Sequence, residues 1–392
     1  MQETDPRAVL EVCAALIAEA EQHPADEPLR RRAPAERAAD AAQRCLDSLS
    51  PEHRGETDIG GALYARRANA LRLMGHDRDA DARAAFDAAL ATAPDRAGWW
   101  YDLGLLHKHR GRWQEAYDAS ARARSLGGDT RPVLFNLAIA ATALGRGDEA
   151  AACFGALGID ARVNDAGMPV VDGLPRVQVR VPARGSGHAS AGEAPDHGAV
   201  FEVVWVEPIS PLHGVVASPT FRDAPVDFGD VVLWDAAPVA VTSIEGRPVP
   251  RFPLLEILRR GDERRLRFVG LQQAPGEIDR LESALPGGCR VFVQAERVEH
   301  VCVRCASGEA LTKHEHTSPE EHRIVYGKIV APSGVDLVSL RDAVERTARA
   351  RGTWQLAVPE LYEQLGDTQR AGQEHQAWRG IERVAMRKGI PT

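Results

Sequence analysis

The sequence predicts a multidomain chain of the α plus α+β class, and three observations carry that prediction. Between Gly61 and Leu157, apolar and small residues recur with a period of 34 residues, as from Trp100 to Leu134 and from Gly111 to Gly145. After about residue 160 the Ala-rich helical patterning gives way to Val-, Pro- and Gly-rich segments in which apolar residues alternate in twos. Between 263 and 358 the strand and helix signals follow the order β-α-β-β-α-β. The expected organisation is a helical cap over 1–60, a repeat array over 61–160 and a linker over 161–198. A small β-rich region over 199–262, the α+β unit over 263–358 and a C-terminal helical hairpin over 359–392 complete it.

The bulk numbers narrow the class. A chain of 392 residues can build two or three cores. Hydrophobic content of 44% and charged content of 27% are ordinary for soluble globular proteins. A net charge of −8 argues against nucleic acid as the main partner, because that binding needs a basic footprint. Lysine stands only at 108, 313, 328 and 388, so nearly all cationic charge is Arg, and the Ala excess suggests a GC-rich bacterial genome. No apolar run of about 18 residues exists, so no membrane span is expected. The opening Met1-Gln2-Glu3-Thr4-Asp5 is acidic where a signal peptide would be basic. Six cysteines at uneven spacing do not read as a disulfide framework, and a cytoplasmic location is expected.

Element by element, Val9, Leu10, Cys13, Leu16 and Ile17 predict a helix over 6–22, stopped at His23-Pro24. Ala39, Ala42, Leu46 and Leu49 predict a second over 35–49. Together they form a degenerate hairpin that caps the array. In the array, Tyr64, Ala68, Leu71 and Gly75 lead into Ala82, Phe86, Ala89 and Pro94. The next unit has Trp100, Leu103, Gly104, Gly111, Trp113, Ala116 and Ala123, and the third has Leu134, Leu137, Ala138, Gly145, Ala150 and Phe154. Each unit is a pair of amphipathic helices with small residues where helices cross and large ones, Trp100, Leu103 and Phe154, in the gaps. One pair cannot bury its apolar face alone, so neighbours must stack.

This pattern resembles the tetratricopeptide repeat (TPR), over residues 61–157 only. The first unit departs from it by two surplus residues, placed at Asp79 and Ala80, and the second carries His107 and Ser120 where larger side chains are usual. The resemblance implies a concave face lined by the first helix of each unit. Matching positions are Asn69 and Arg72, then Tyr101, Leu105, Lys108 and His109, then Phe135 and Ile139. That is an aromatic and aliphatic trough edged by cations, suited to an extended peptide or an acid-flanked helix of a protein partner. The family's clamp for chaperone tails is not matched: Ala65, Asp102 and Pro132 stand where it needs Lys or Asn.

Past the array, Arg176 to Val181 alternates as a strand, and 182–198 has almost nothing to bury. Strands are expected at 201–206, 229–234 and 239–244, and a short helix over Phe252–Arg260. Strand 264–271, helix 277–285, strand 289–304, strand 322–330, helix 335–349 and strand 353–358 then give the order of a ferredoxin-like βαββαβ unit. Right-handed crossovers put both helices on one sheet face.

For chemistry, Cys302-Val303-Arg304-Cys305 is a CxxC able to grip a tetrahedral ion, and His314 and His316 follow. These four would form a structural zinc site stapling the turn of the middle hairpin, with His322 or Cys289 as substitutes. The alternative is two strand cysteines and solvated histidines among Glu309, Glu315, Glu320 and Glu321. Asp223, Asp227 and Asp230 near His213 could bind a cation, but read better as turn chemistry before a strand. Walker, G-x-S-x-G, H-E-x-x-H and dinucleotide motifs are missing. The function expected is a non-catalytic cytoplasmic scaffold or adaptor that binds a protein through the groove. The alternative is a zinc-dependent regulator or enzyme centred on the C-terminal α+β half.

Overall fold

A computed structural model describes residues 5–24, 27–50, 58–183, 200–221, 224–244, 246–272, 276–301, 320–349 and 355–386. The chain divides into two compact units, Met1–Val216 with Asp230–Arg259, and Ala217–Gly229 with Arg260–Thr392. Helices make up the N-terminal region, and sheets dominate the remainder of the chain. Among the described residues no helix is long and apolar enough to cross a membrane.

The first unit opens with α1 (Pro6–Glu21) and α2 (Pro28–Ser48). Pro6 pre-sets the first turn of α1, and Asp5 caps it by accepting from Arg7 N at 3.0 Å. Val9, Cys13, Leu16 and Ile17, whose spacing predicted the helix, are buried, and so is Ala20. α2 starts well before the expected Ala35 and runs through Pro34, an interior proline that forfeits its own i→i−4 hydrogen bond and crowds the carbonyl of Arg30.

Three antiparallel helix pairs come next: α3 (Ile59–Met74) with α4 (Asp79–Thr92), α5 (Ala97–Lys108) with α6 (Trp113–Gly127), and α7 (Arg131–Ala143) with α8 (Gly147–Ala156). Gly75, Gly111 and Gly145 lie at φ 123°, 65° and 71°, so the first helix of every pair ends in a conformation that favours glycine. The surplus of the first unit is taken up by a 3-10 turn, His76–Arg78, while Asp79 and Ala80 open α4. Phe86 and Phe154 are wholly buried, each worth about 2–3 kcal/mol relative to exposure. A methyl on Gly104 would meet Ser120 Oγ at 3.0 Å, so α5 and α6 cross as closely as a small residue permits. Trp100, expected to fill a gap, is only half-buried, and its indole donates to Pro94 O at 2.8 Å.

After a small hairpin, β1 (Arg162–Val163) with β2 (Pro169–Val170), six strands form one sheet. They are β3 (Val177–Ala183), β4 (Val200–Pro208), β5 (His213–Val216), β6 (Val231–Trp234), β7 (Ala240–Ile244) and β8 (Arg247–Arg259). Their order is β3-β4-β5-β6-β8-β7, and β3 also pairs in parallel with β8, so the ring β3-β4-β5-β6-β8 closes on itself. Val179, Val181, Val204 and Val206 alternate inward and are fully buried, as a half-buried strand requires. The helix expected over Phe252–Arg260 is instead the second half of β8. The run Phe-Pro-Leu-Leu-Glu-Ile-Leu fits either period, Pro253 would be tolerated in the first turn of a helix, and pairing with β6 and β3 decides. Leu212 and Leu233 pack against Leu134, Leu137, Ile139 and Phe154, so this sheet rests on the last helix pair.

The second unit holds β9 (Arg264–Gln272), α9 (Glu277–Ala284), β10 (Arg290–Val301), β11 (Glu320–Ala331), α10 (Leu337–Arg349) and β12 (Gln355–Ala357). α11 (Pro359–Gln364) and α12 (Thr368–Met386) end it, split at Gly366 with φ 75°. The sheet order is β10-β11-β9-β12, and every pair is antiparallel. Leu266 and Phe268 face the core shared with Leu281 of α9 and Leu340 and Val344 of α10. Val269 and Leu271, on the opposite face of β9, meet Ile381 and Trp378 of α12. Both sheet faces are therefore covered.

Candidate binding groove

The first helices of the three pairs, α3, α5 and α7, carry the predicted groove. Arg72 of α3 pairs with Glu21 of α1 at 2.8 Å and donates to Asn69 Oδ1 at 2.7 Å. Asn69 in turn donates to Asp102 of α5 at 2.5 Å. Burial raises the Asp102 carboxyl above its ordinary range, with Arg72 pulling the other way. This network locks the bases of α1, α3 and α5 together.

Lys108 closes the last turn of α5, where a cation suits the carbonyl end of the helix dipole. It donates to Asn136 of α7 at 2.9 Å and pairs with Asp235 at 2.9 Å. Burial alone would raise the Asp235 carboxyl, but Lys108, His109 and the Ala237 backbone N–H together outweigh it, and the group is held below its usual range. His109 beside Lys108 is pushed well down by burial and by that cation, with Asp235 opposing. Tyr101 shares a hydrogen bond with Asn136, and burial pushes its phenol up. Arg131 at the start of α7 lies over the Phe135 ring, 5.1 Å from its centroid.

These side chains line an open hollow of about 550 Å³. Six of the eight predicted groove residues line it: Arg72, Tyr101, Leu105, Lys108, His109 and Phe135. The other two do not. Asn69 lies beneath it, held between Arg72 and Asp102, and Ile139 is fully buried among Leu134, Leu137 and Leu233. The opposite wall is Asp235–Val239, the β6–β7 connection, with Pro253 of β8. Periodicity could not find that wall, because it meets α5 only through the fold. Glu21, His23 and Arg31 from the capping hairpin also reach the cavity.

The other sequence candidates lie elsewhere. Cys302, Cys305, His314 and His316 fall outside the described residues, as does Asp223. Asp227 accepts from Thr220 N and Phe228 N in its own loop, and it also pairs with Lys328 of β11. His213 sits in β5 with Nδ1 2.7 Å from Ser210 Oγ, and burial pushes it down to about 4. Among the described residues no group of three or more His, Cys, Asp or Glu is placed to hold a metal ion. No protein-family model matches the chain, and no curated protein matches it.

Proposed function

We propose that the chain is a non-catalytic adaptor whose N-terminal helices, taken as tetratricopeptide repeats, hold a short segment of a protein partner on their concave side. One observation carries the proposal: six residues chosen by repeat register alone, from three successive inner helices, converge on a single cavity. Its volume falls in the range that receives side chains or small ligands, so it suits a few residues rather than a whole helix. Tyr101 and Phe135 supply the aromatic surface on which such sites rely. Free thiols at Cys13, Cys45, Cys153 and Cys289 support a reducing, cytoplasmic setting. For the second unit, the strand order β10-β11-β9-β12 supports the ferredoxin-like assignment. Selection of a random peptide display library on the full chain tests the proposal. Enriched peptides should lose binding to Phe135→Ala, and a library that yields none would reject it.

A structural zinc ion on Cys302, Cys305, His314 and His316 is our second proposal. The β10–β11 register runs out to Val301↔Glu320, so residues 302–319 connect two paired strand ends. A four-ligand staple suits such a connection. Metal analysis should find one zinc per chain, lost in Cys302→Ser. A metal-free purified protein would reject the site.

A further inference from the structure

The wall that faces the inner helices carries an acid on the groove's deepest cation. We propose that Asp235 is an internal competitor for the groove. In this arrangement Lys108 and Asn136 form the anchor for a carboxylate on the partner segment, and the resting chain keeps that anchor occupied with its own β6–β7 connection. The inference rests on the binding role proposed above.

Four observations carry it. Lys108 is almost wholly buried on the concave side, and a buried ammonium needs a counter-charge. The helices do not supply one: Asn136 gives a neutral oxygen, and the carboxylate comes from the sheet. Asp235 is also lightly tied. Among the described residues, and apart from Lys108 and the neighbouring His109, its carboxylate accepts only from Ala237 N within its own turn, at 3.3 Å. The backbone bonds from Asp235 N to Pro253 O and from Val239 N to Arg251 O hold the connection without using that carboxylate. Finally, the residues behind Asp235 do not fill the hollow. Ala237 and Pro238 are exposed at its rim, and about 550 Å³ stays open beside Tyr101 and Phe135. The chain thus occupies the anchoring charge but leaves the volume empty, which is the geometry of a placeholder.

Displacement is chemically balanced. A carboxylate on the incoming segment replaces the Asp235 carboxylate on Lys108, and Asp235 swings toward the exposed rim, where water solvates it. The incoming carboxylate must shed its water to reach buried Lys108, and rehydration of the released Asp235 offsets that cost.

The test uses the full chain and pools of fluorescent hexapeptides that differ only in one fixed residue, Glu or Gln. Asp235→Asn should bind the Glu pool about tenfold tighter than wild type does, a gain of about 1.4 kcal/mol, with the Gln pool unchanged. Lys108→Met should abolish the preference for Glu in both backgrounds. Capping the pools with a C-terminal amide separates a side-chain carboxylate from a terminal one. If Asp235→Asn binds Glu peptides no better than wild type, Asp235 is a wall and not a competitor. If neither protein binds any pool, the binding role itself falls. Thermal melts confirm that each variant folds; Asp235→Ser stands in for Asp235→Asn, and Lys108→Met combined with Asp235→Leu stands in for Lys108→Met, where the first choice does not fold.

Discussion

Lys108 Nζ of α5 lies 2.9 Å from Asp235 Oδ2 of the β6–β7 connection, with the two side chains only 5% and 8% exposed. This pair joins the repeat helices to the neighbouring sheet within one compact unit. A buried pair is costly to break on one side and cheap to replace as a whole. Lys108→Met, which strands a buried carboxylate, should lower stability by about 3–5 kcal/mol in denaturant unfolding. Lys108→Met combined with Asp235→Leu should recover most of that loss. A double variant as unstable as the single one would show that the pair is not energetically coupled.

Acid should loosen the first unit in a defined window. Burial, with the charges of Arg112 and Arg83 adding to it and Glu115 and Asp79 opposing, pushes His107 down to about 4. Burial alone does the same to His213. Both are neutral when folded and ordinary when unfolded, so the unfolded chain takes up protons first as pH falls. Their stabilising effect is complete above about pH 6.5 and is lost toward pH 4, on the order of 3 kcal/mol for each. Asp102, raised by burial, titrates in the opposite sense and offsets part of the loss. His107→Phe should flatten the acid limb of the stability curve measured from pH 7 to 4. An unchanged slope would remove His107 from the account.

The two large aromatics of the array should differ in what they hold up. Phe86 is fully buried, and Phe86→Ala should cost about 3–5 kcal/mol. Trp100 is half-buried and keeps its indole hydrogen bond at the surface, so Trp100→Ala should cost about half as much. Equal losses in chemical denaturation would mean that Trp100 carries more of the core than its exposure indicates.

In the second unit a methyl at Gly327 of β11 would collide with Phe292 O and with the ring of Phe268. The Phe268 ring covers the glycine, and neither it nor the β10 backbone can retreat without disturbing the core. Gly327→Ala should therefore destabilise this unit by about 1–3 kcal/mol, read as a lower melting temperature. Gly246, at φ 76° with open space around it, is the contrasting case, where the cost is backbone strain alone.

Local periodicity made the helices readable. Gly75, Gly111 and Gly145 each stop a first helix because the turn needs positive φ, and that signal lies in the sequence itself. The groove residues came from the same register. Ile139 did not hold its expected place, because the sheet covers the end of α7 and turns a groove position into core. β8 was illegible for a related reason: its apolar run suits two periods, and only pairing with β3, β6 and β7 selects one. Asp235 falls in the gap between the strands expected at 229–234 and 239–244. Its role at the groove depends on a contact with α5 that no short-range pattern encodes.

The groove is tested most directly by amide hydrogen exchange on the full chain with and without a library-selected peptide. A peptide seated in the groove predicts slowed exchange in α5 and α7, centred on Tyr101–His109 and Arg131–Asn136, with the outer helices α4, α6 and α8 unchanged. Protection confined to the second unit, or none at saturating peptide, would contradict it.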